Sequence, residues 1–306
     1  ESYERDLRDV LTLQSDIART IAAQIDVRLS PLEQRRLTHA PTVVPAAHEA
    51  YLRGVTEENL EKAEQYFTKA TQLDPNYGPP YAALAGIHYF YALFGVLPPK
   101  EGFEIVRKEA RKALALDETL ADAHGCLALV LLHYDWDWKG AEREFQRALE
   151  LNPSQAYVRH DYAHFLMARD RISEALAESK QAVELNPFDP SINTCLAWHH
   201  LYSREYGQAA DQSLKVLTAD PSSWWARVNL GWAYAQLGRY ADGVQEFKKS
   251  LVLWPGNGLS LAGLGHTYAL EGKRTEAKAT LDTLIAATQT GYVPAYDVAT
   301  VYAGLN

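Results

Sequence analysis

The chain is short of cysteine and methionine, and it carries no surplus of positive charge. Cys126 and Cys195 are its two cysteines, too few for a disulfide framework or a zinc knuckle. The net charge of -9 has the wrong sign for a phosphate-backbone binder, and no Lys/Arg run builds a local basic face, so no nucleic-acid partner is expected. No apolar run approaches the ~18 residues of a membrane span, and no signal peptide opens the chain. It starts on Glu1, which suggests a stretch of a longer protein, with a cytoplasmic setting favoured and a periplasmic one if a span lies upstream. Phosphate-cradling G-x-x-x-x-G-K-[ST] and complete G-x-G-x-x-G motifs are also missing. What is present is 306 residues, 47% hydrophobic and 23% charged, enough to bury a core larger than one ordinary domain.

That apolar content is periodic. "ELNP" ends at Pro153 and again at Pro187, "LTADP" ends at Pro221 and "LVLWP" at Pro255, so these four prolines are spaced by 34 residues. "TQLDP" ends at Pro75, and "LALDE" gives a proline-less equivalent at Glu118, with an insertion between the two. Each period reads as two amphipathic helices and a turn. Small residues recur where helices approach closely (Ala141 and Ala148, Ala175 and Ala182, Gly243 and Ser250), alternating with large ones such as Phe145, Leu151, Phe247 and Leu253. The proline lies just past the second helix, where it cannot continue the ladder and so forces a turn. Asp220 and Ser222–Ser223 are candidate caps for the next helix, and Asp137 for the helix after "DWDW".

A 34-residue helix–turn–helix unit with Leu-Gly-x-x-Tyr, a downstream Ala, an apolar residue and a terminal Pro resembles the tetratricopeptide repeat (TPR), and Leu230-Gly231-Trp232-Ala233-Tyr234 and Leu264-Gly265-His266-Thr267-Tyr268 match its first-helix signature. Arg227 and Leu261 stand where that family carries an early Trp, and His200 where it carries Tyr. The resemblance implies an all-α, right-handed TPR solenoid of antiparallel helix pairs. Its units fall at about 44–77, 78–120, 121–155, 156–189, 190–223, 224–257 and 258–291, and an unpaired first helix follows at 292–306. In the first unit the helix before a Thr56 cap is short, so either its loop is clipped or residues are absent between Gly54 and Val55. "FGVLPPKEGF" is expected to be an extended loop, because Pro98 and Pro99 exclude helix.

One long amino-terminal helix is expected before Pro31, followed by a Pro-containing linker, which divides the chain into 1–45 and a TPR array over 46–306. The first segment and "HYDWDWKGAEREF" resemble bacterial multidomain regulators. In those proteins a TPR array follows a TolB-like α/β domain, often behind a winged-helix, kinase or cyclase module. None of those modules lies in this chain, so their activities do not carry over.

No enzyme is expected. "GLSLA" at 258–262 lacks the second glycine of a nucleophile elbow, and Leu52 stands where His48-Glu49 would need a second zinc-binding histidine. The helical period instead places Cys126, His133, Tyr157, His160, Asp161, His164, Cys195, Trp198, Tyr202, Trp225, Asn229 and Trp232 on the concave face lined by first helices. His160, His164 and Cys126 or Cys195 could ligate zinc, but parallel helices ~8–10 Å apart count against three ligands converging, and neither metal nor cofactor is expected. With almost no inward Lys or Arg, the wall suits a partly apolar protein or peptide segment. The alternative is a small-molecule sensor in which Trp198, Trp225 and Trp232 stack on a sugar or aromatic ligand. A further expectation is self-association through the final helix, with Val298, Val301, Tyr302 and Leu305 on its uncovered face. The two Trp of "DWDW" are expected to pack in a loop.

Overall fold

A computed structural model describes residues 43–289 and 292–306, together with Ile17, Thr20 and Ile21. The expected amino-terminal helix falls almost wholly outside the described residues. From Pro45 onward the described chain is helical, with no strand. Seven antiparallel pairs follow one another: α1 (Pro45–Thr56) with α2 (Leu60–Leu73), α3 (Gly78–Leu93) with α4 (Pro99–Leu116), α5 (Ala121–His133) with α6 (Trp138–Leu151), α7 (Ala156–Ala168) with α8 (Ile172–Leu185), α9 (Pro190–Tyr202) with α10 (Tyr206–Ala219), α11 (Trp224–Gln236) with α12 (Tyr240–Leu253), and α13 (Gly258–Leu270) with α14 (Arg274–Ala287). A single helix, α15 (Ala295–Leu305), closes the array. From α3 to α15 each first helix packs on the next first helix, which makes the inner layer of a solenoid, and the second helices pack outside it.

The period is written in hydrogen bonds as well as in residues. At five successive repeats a side chain in the first helix bonds the carbonyl six residues earlier. Tyr81 Oη donates to the Pro75 carbonyl (3.4 Å), Arg159 to Pro153 (2.9 Å), Asn193 to Pro187 (3.0 Å) and Arg227 to Pro221 (2.7 Å), and His124 Nε2 lies 3.0 Å from the carbonyl of Glu118, the proline-less equivalent. Four of these side chains also meet the second helix: His124 with Glu144 (2.6 Å), Arg159 with Glu178 (2.6 Å), Asn193 with Gln212 (2.8 Å) and Arg227 with Glu246 (2.9 Å). This is why Arg227 can replace the expected Trp. It joins the same two elements by polar contacts instead of ring packing.

Between the two helices of a pair the backbone turns through the left-handed region, at Gly95, Trp136, Asp170, Arg204, Gly238 and Gly272. Large side chains wedge between the helices. Phe145 and Phe247 are fully buried, and a Cβ added at Gly231 would come within 2.9 Å of the Phe247 ring. Of the two Trp expected to pack in a loop, Trp138 instead opens α6 and packs on Phe165, and Trp136, in the loop, is exposed; Asp137 caps α6 by accepting from the Gly140 amide at 2.9 Å.

Three local expectations are corrected. Thr56 ends α1 instead of capping α2; the cap is Asn59, which accepts from the Lys62 amide. "FGVLPPKEGF" is not an extended loop, because Pro99 occupies the first position of α4, where a missing N–H costs nothing. The inserted residues instead lengthen α3 to 16 residues and α4 to 18. In α15, Val301 and Leu305 are buried against α13 and α14, so the uncovered face is Ala295, Tyr296, Ala299, Tyr302 and Ala303.

Candidate binding site on the concave face

The 34-residue period stacks equivalent side chains in columns on the inner layer. Gly125, His160 and Thr194 form one column; Leu129, His164, Trp198, Trp232 and His266 form another, the step from α5 to α7 being 35 residues. In α7 and α9 these columns become a chain of ring contacts. Tyr157 meets His160 (centroids 6.1 Å apart), His160 meets His164 (5.0 Å), His164 meets Trp198 (4.9 Å) and Trp198 meets Tyr202 (4.1 Å). Tyr157 and Tyr202 at its ends are exposed, and the three rings between them are half-buried. The Tyr157 hydroxyl donates to Asp189 at 2.6 Å, which fixes one end of the strip.

The other expected residues divide between structure and separate groups. Asn229 is buried and spends its amide on the Thr194 carbonyl of the neighbouring first helix (3.0 Å). Cys126 and Cys195 are buried, and burial pushes both thiols well above their ordinary range. His133 lies exposed beside Tyr89, with ring centroids 5.9 Å apart. Trp232 packs on Phe247 and His266, while Trp225 packs on Trp224 and Phe94. Trp198, Trp225 and Trp232 therefore sit in three groups, where a ligand stacked by all three would need one.

Asp161 adjoins His160 in the strip, with its carboxylate 3.3 Å from His160 Nδ1, and burial lifts its pKa to about 6. Burial, reinforced by the neighbouring His199, His160 and His133, drops His164 well below the ordinary imidazole value. His199 falls to about 3 for the same reason. At neutral pH both imidazoles are neutral, each with one donor and one acceptor nitrogen.

Sequence reasoning passed over His199. It is fully buried, its Nε2 lies 3.1 Å from His164 Nδ1, and its Nδ1 lies 2.5 Å from Ser179 Oγ. The signal was available in the repeats. Ser179 holds the position of Phe145 and Phe247 one and two periods away, and His199 holds that of Phe165. A polar pair thus stands where the preceding repeat packs Phe145 on Phe165, and Ser213 takes the wedge position in the repeat that follows. Ser179 and His199 have the residue types of a nucleophile and its base, but both are buried.

Phe94 carried no signal, because it lies in the insertion. At the end of α3 it packs on Phe90 and inserts among Trp224 (5.6 Å), Trp225 (5.9 Å) and Trp254 (6.3 Å). A Cβ on the next residue, Gly95, would come within 3.3 Å of Tyr292. The curvature of the array thus brings its second pair against its sixth and against the approach to α15.

Comparison with known proteins agrees with this architecture. Residues 55–77, 136–198 and 196–258 match profiles described as tetratricopeptide repeat. Among curated proteins, the transcriptional regulator HilA of Salmonella typhimurium is 28% identical over 132 residues, 41% of this chain and 24% of HilA. The matched stretch is thus about a quarter of that relative. Among solved structures, a monomeric mutant of IFIT1 with Gppp-AAAA superposes with a TM-score of 0.68 at 17% identity, covering 92% of this chain and 65% of that one. A tetratricopeptide repeat protein from Parabacteroides merdae gives 0.57 at 13% identity, covering 86% and 100%. At such identities these structures attest the fold alone.

Proposed function

Because the chain belongs to the tetratricopeptide-repeat superfamily and is a protein-interaction scaffold, we propose that it holds a partly apolar partner segment on the strip from Tyr157 to Tyr202. The carrying observation is the unbroken ring contact from Tyr157 through His160, His164 and Trp198 to Tyr202 across two adjacent first helices. Rings held in place by one another lose little entropy on binding, and none of the five brings a fixed positive charge. The segment is read by shape and apolar contact, and the Asp161 carboxyl beside the strip supplies a polar register point. The partial likeness to HilA supports a regulatory protein as the setting.

The test is a pull-down with the chain as bait, followed by titration of the captured segment. Trp198→Ala and Tyr202→Ala should each weaken binding by ~2 kcal/mol with helicity intact, and Lys248→Ala on α12 should leave it unchanged. Affinity should change little with salt, because screening acts on charge pairs that this strip lacks. Full affinity in both strip variants would place the site elsewhere.

A second contact rests on α15. Its exposed residues Ala295, Ala299, Tyr302 and Ala303 carry no charge, while Tyr296 reaches across to Tyr202 of α9. We propose that two copies associate through α15. Sedimentation at rising concentration should show a dimer that Ala299→Glu abolishes. A dimer that survives this change uses another surface.

A further inference from the structure

We propose that the chain binds one divalent transition metal, zinc foremost, through His160, His164 and Cys195. One ligand atom from each of the three lies within 4.8 Å of the other two. In a tetrahedral site with Zn–N of ~2.0 Å and Zn–S of ~2.3 Å, ligand atoms stand about 3.5 Å apart, so rotamer adjustment of about an ångström closes the set. The ligands do not have to converge from three parallel helices. Two of them come from one helix, four residues apart on the same face of α7, and Cys195 faces them from the adjacent α9.

The second observation is how the imidazoles are held. Metal-bound histidines are oriented by a partner on the nitrogen that does not bind the metal. His160 Nδ1 lies 3.2 Å from the Tyr157 carbonyl and 3.3 Å from the Asp161 carboxylate. His164 Nδ1 lies 3.1 Å from His199 Nε2, and His199 Nδ1 lies 2.5 Å from Ser179 Oγ. Both ligands can therefore donate from Nδ1 and present Nε2 as the lone pair. The His199–Ser179 relay stands where the preceding repeat has the ring pair Phe165 and Phe145. A buried polar pair of this kind weakens a core that an apolar pair would fill, and orienting His164 gives it a purpose.

Three protein ligands leave a fourth position, which a water can take because His160 and His164 are only half-buried. On binding, the Cys195 Sγ–H bond breaks, the proton leaves to solvent and the sulfur binds as thiolate. The metal staples α7 to α9 beneath the aromatic strip. Metal binding at this place does not require a partner segment.

The test uses the whole chain, stripped with chelator and titrated with Co²⁺, then competed with Zn²⁺. One cobalt per chain should bind with tetrahedral d–d bands and a thiolate-to-cobalt charge-transfer band, both bleached by zinc. Cys195→Ser should remove the charge-transfer band, and Cys126→Ser should keep it. His199→Phe, which restores the residue of the preceding repeat, should weaken zinc affinity 10- to 100-fold while helicity stays intact. A cobalt complex without a thiolate band, a band that vanishes with Cys126 instead of Cys195, or full affinity in His164→Ala would overturn the assignment. Failure of partner binding at Trp198 would leave these spectra unaffected, so the two proposals fail separately.

Discussion

At the scale of single residues the array depends on rings matched to glycines. Phe247 of α12 is fully buried, and a Cβ placed on Gly263 of α13 would fall onto its ring. Removing the ring leaves a cavity that packed helices fill only in part. Phe247→Ala should therefore cost ~3–5 kcal/mol in denaturant unfolding. Gly263→Ala should also destabilise, because the ring has no free space to retreat into; overpacking of this kind costs ~1–3 kcal/mol. Combined with Phe247→Leu, the glycine change should cost less than the sum of the two. Additive losses would mean that the two side chains do not meet. Residue type alone indicated Phe247 as a wedge, but nothing in the sequence said which glycine faces it.

At the scale of elements, the turn inside each pair sets a backbone demand that the sequence meets unevenly. The left-handed position is glycine at 95, 238 and 272, but Trp136, Asp170 and Arg204 occupy it in the middle repeats. Aspartate tolerates that conformation through local hydrogen bonding; tryptophan and arginine suffer the Cβ clash. Arg204→Gly should raise stability by about 1 kcal/mol, read as a shift in denaturant midpoint. An unchanged or lowered midpoint would show that the Arg204 side chain makes a compensating contact. The same scale explains the misread insertion. Two prolines in a row do exclude helix interior, but the second of them is well suited to open a helix, and only the register of α4 reveals which role applies.

At the scale of the whole molecule, stability in a repeat array is nearly a sum over neighbours, so a contact between the second and sixth pairs is of a different kind. Phe94 makes that contact, among Trp224, Trp225 and Trp254. Phe94→Ala should raise the radius of gyration in solution scattering and shift tryptophan emission to the red, with helicity unchanged. If neither moves, the curvature of the array is held by neighbour packing alone.

Period, helix pairing and turn positions were determined by the sequence itself. They arise from local physics: hydrophobic spacing over one or two turns, a proline that ends each second helix, and side chains that reach back six residues. The concave columns were legible for the same reason, since a helical register projects from one residue to the next, and it placed Tyr157, His160, His164, Trp198 and Tyr202 together. Three matters were decided only in three dimensions. Whether Asn229, Cys126 and Cys195 face solvent or a neighbouring helix depends on the distance between helices. Which group orients His164 Nδ1 depends on His199, which lies 35 residues away and reaches it only after α9 has packed on α7. Whether Phe94 meets Trp224 depends on curvature, a small rotation per repeat summed over four repeats. No local pattern encodes that sum, because each term is set by the volumes packed between two helices.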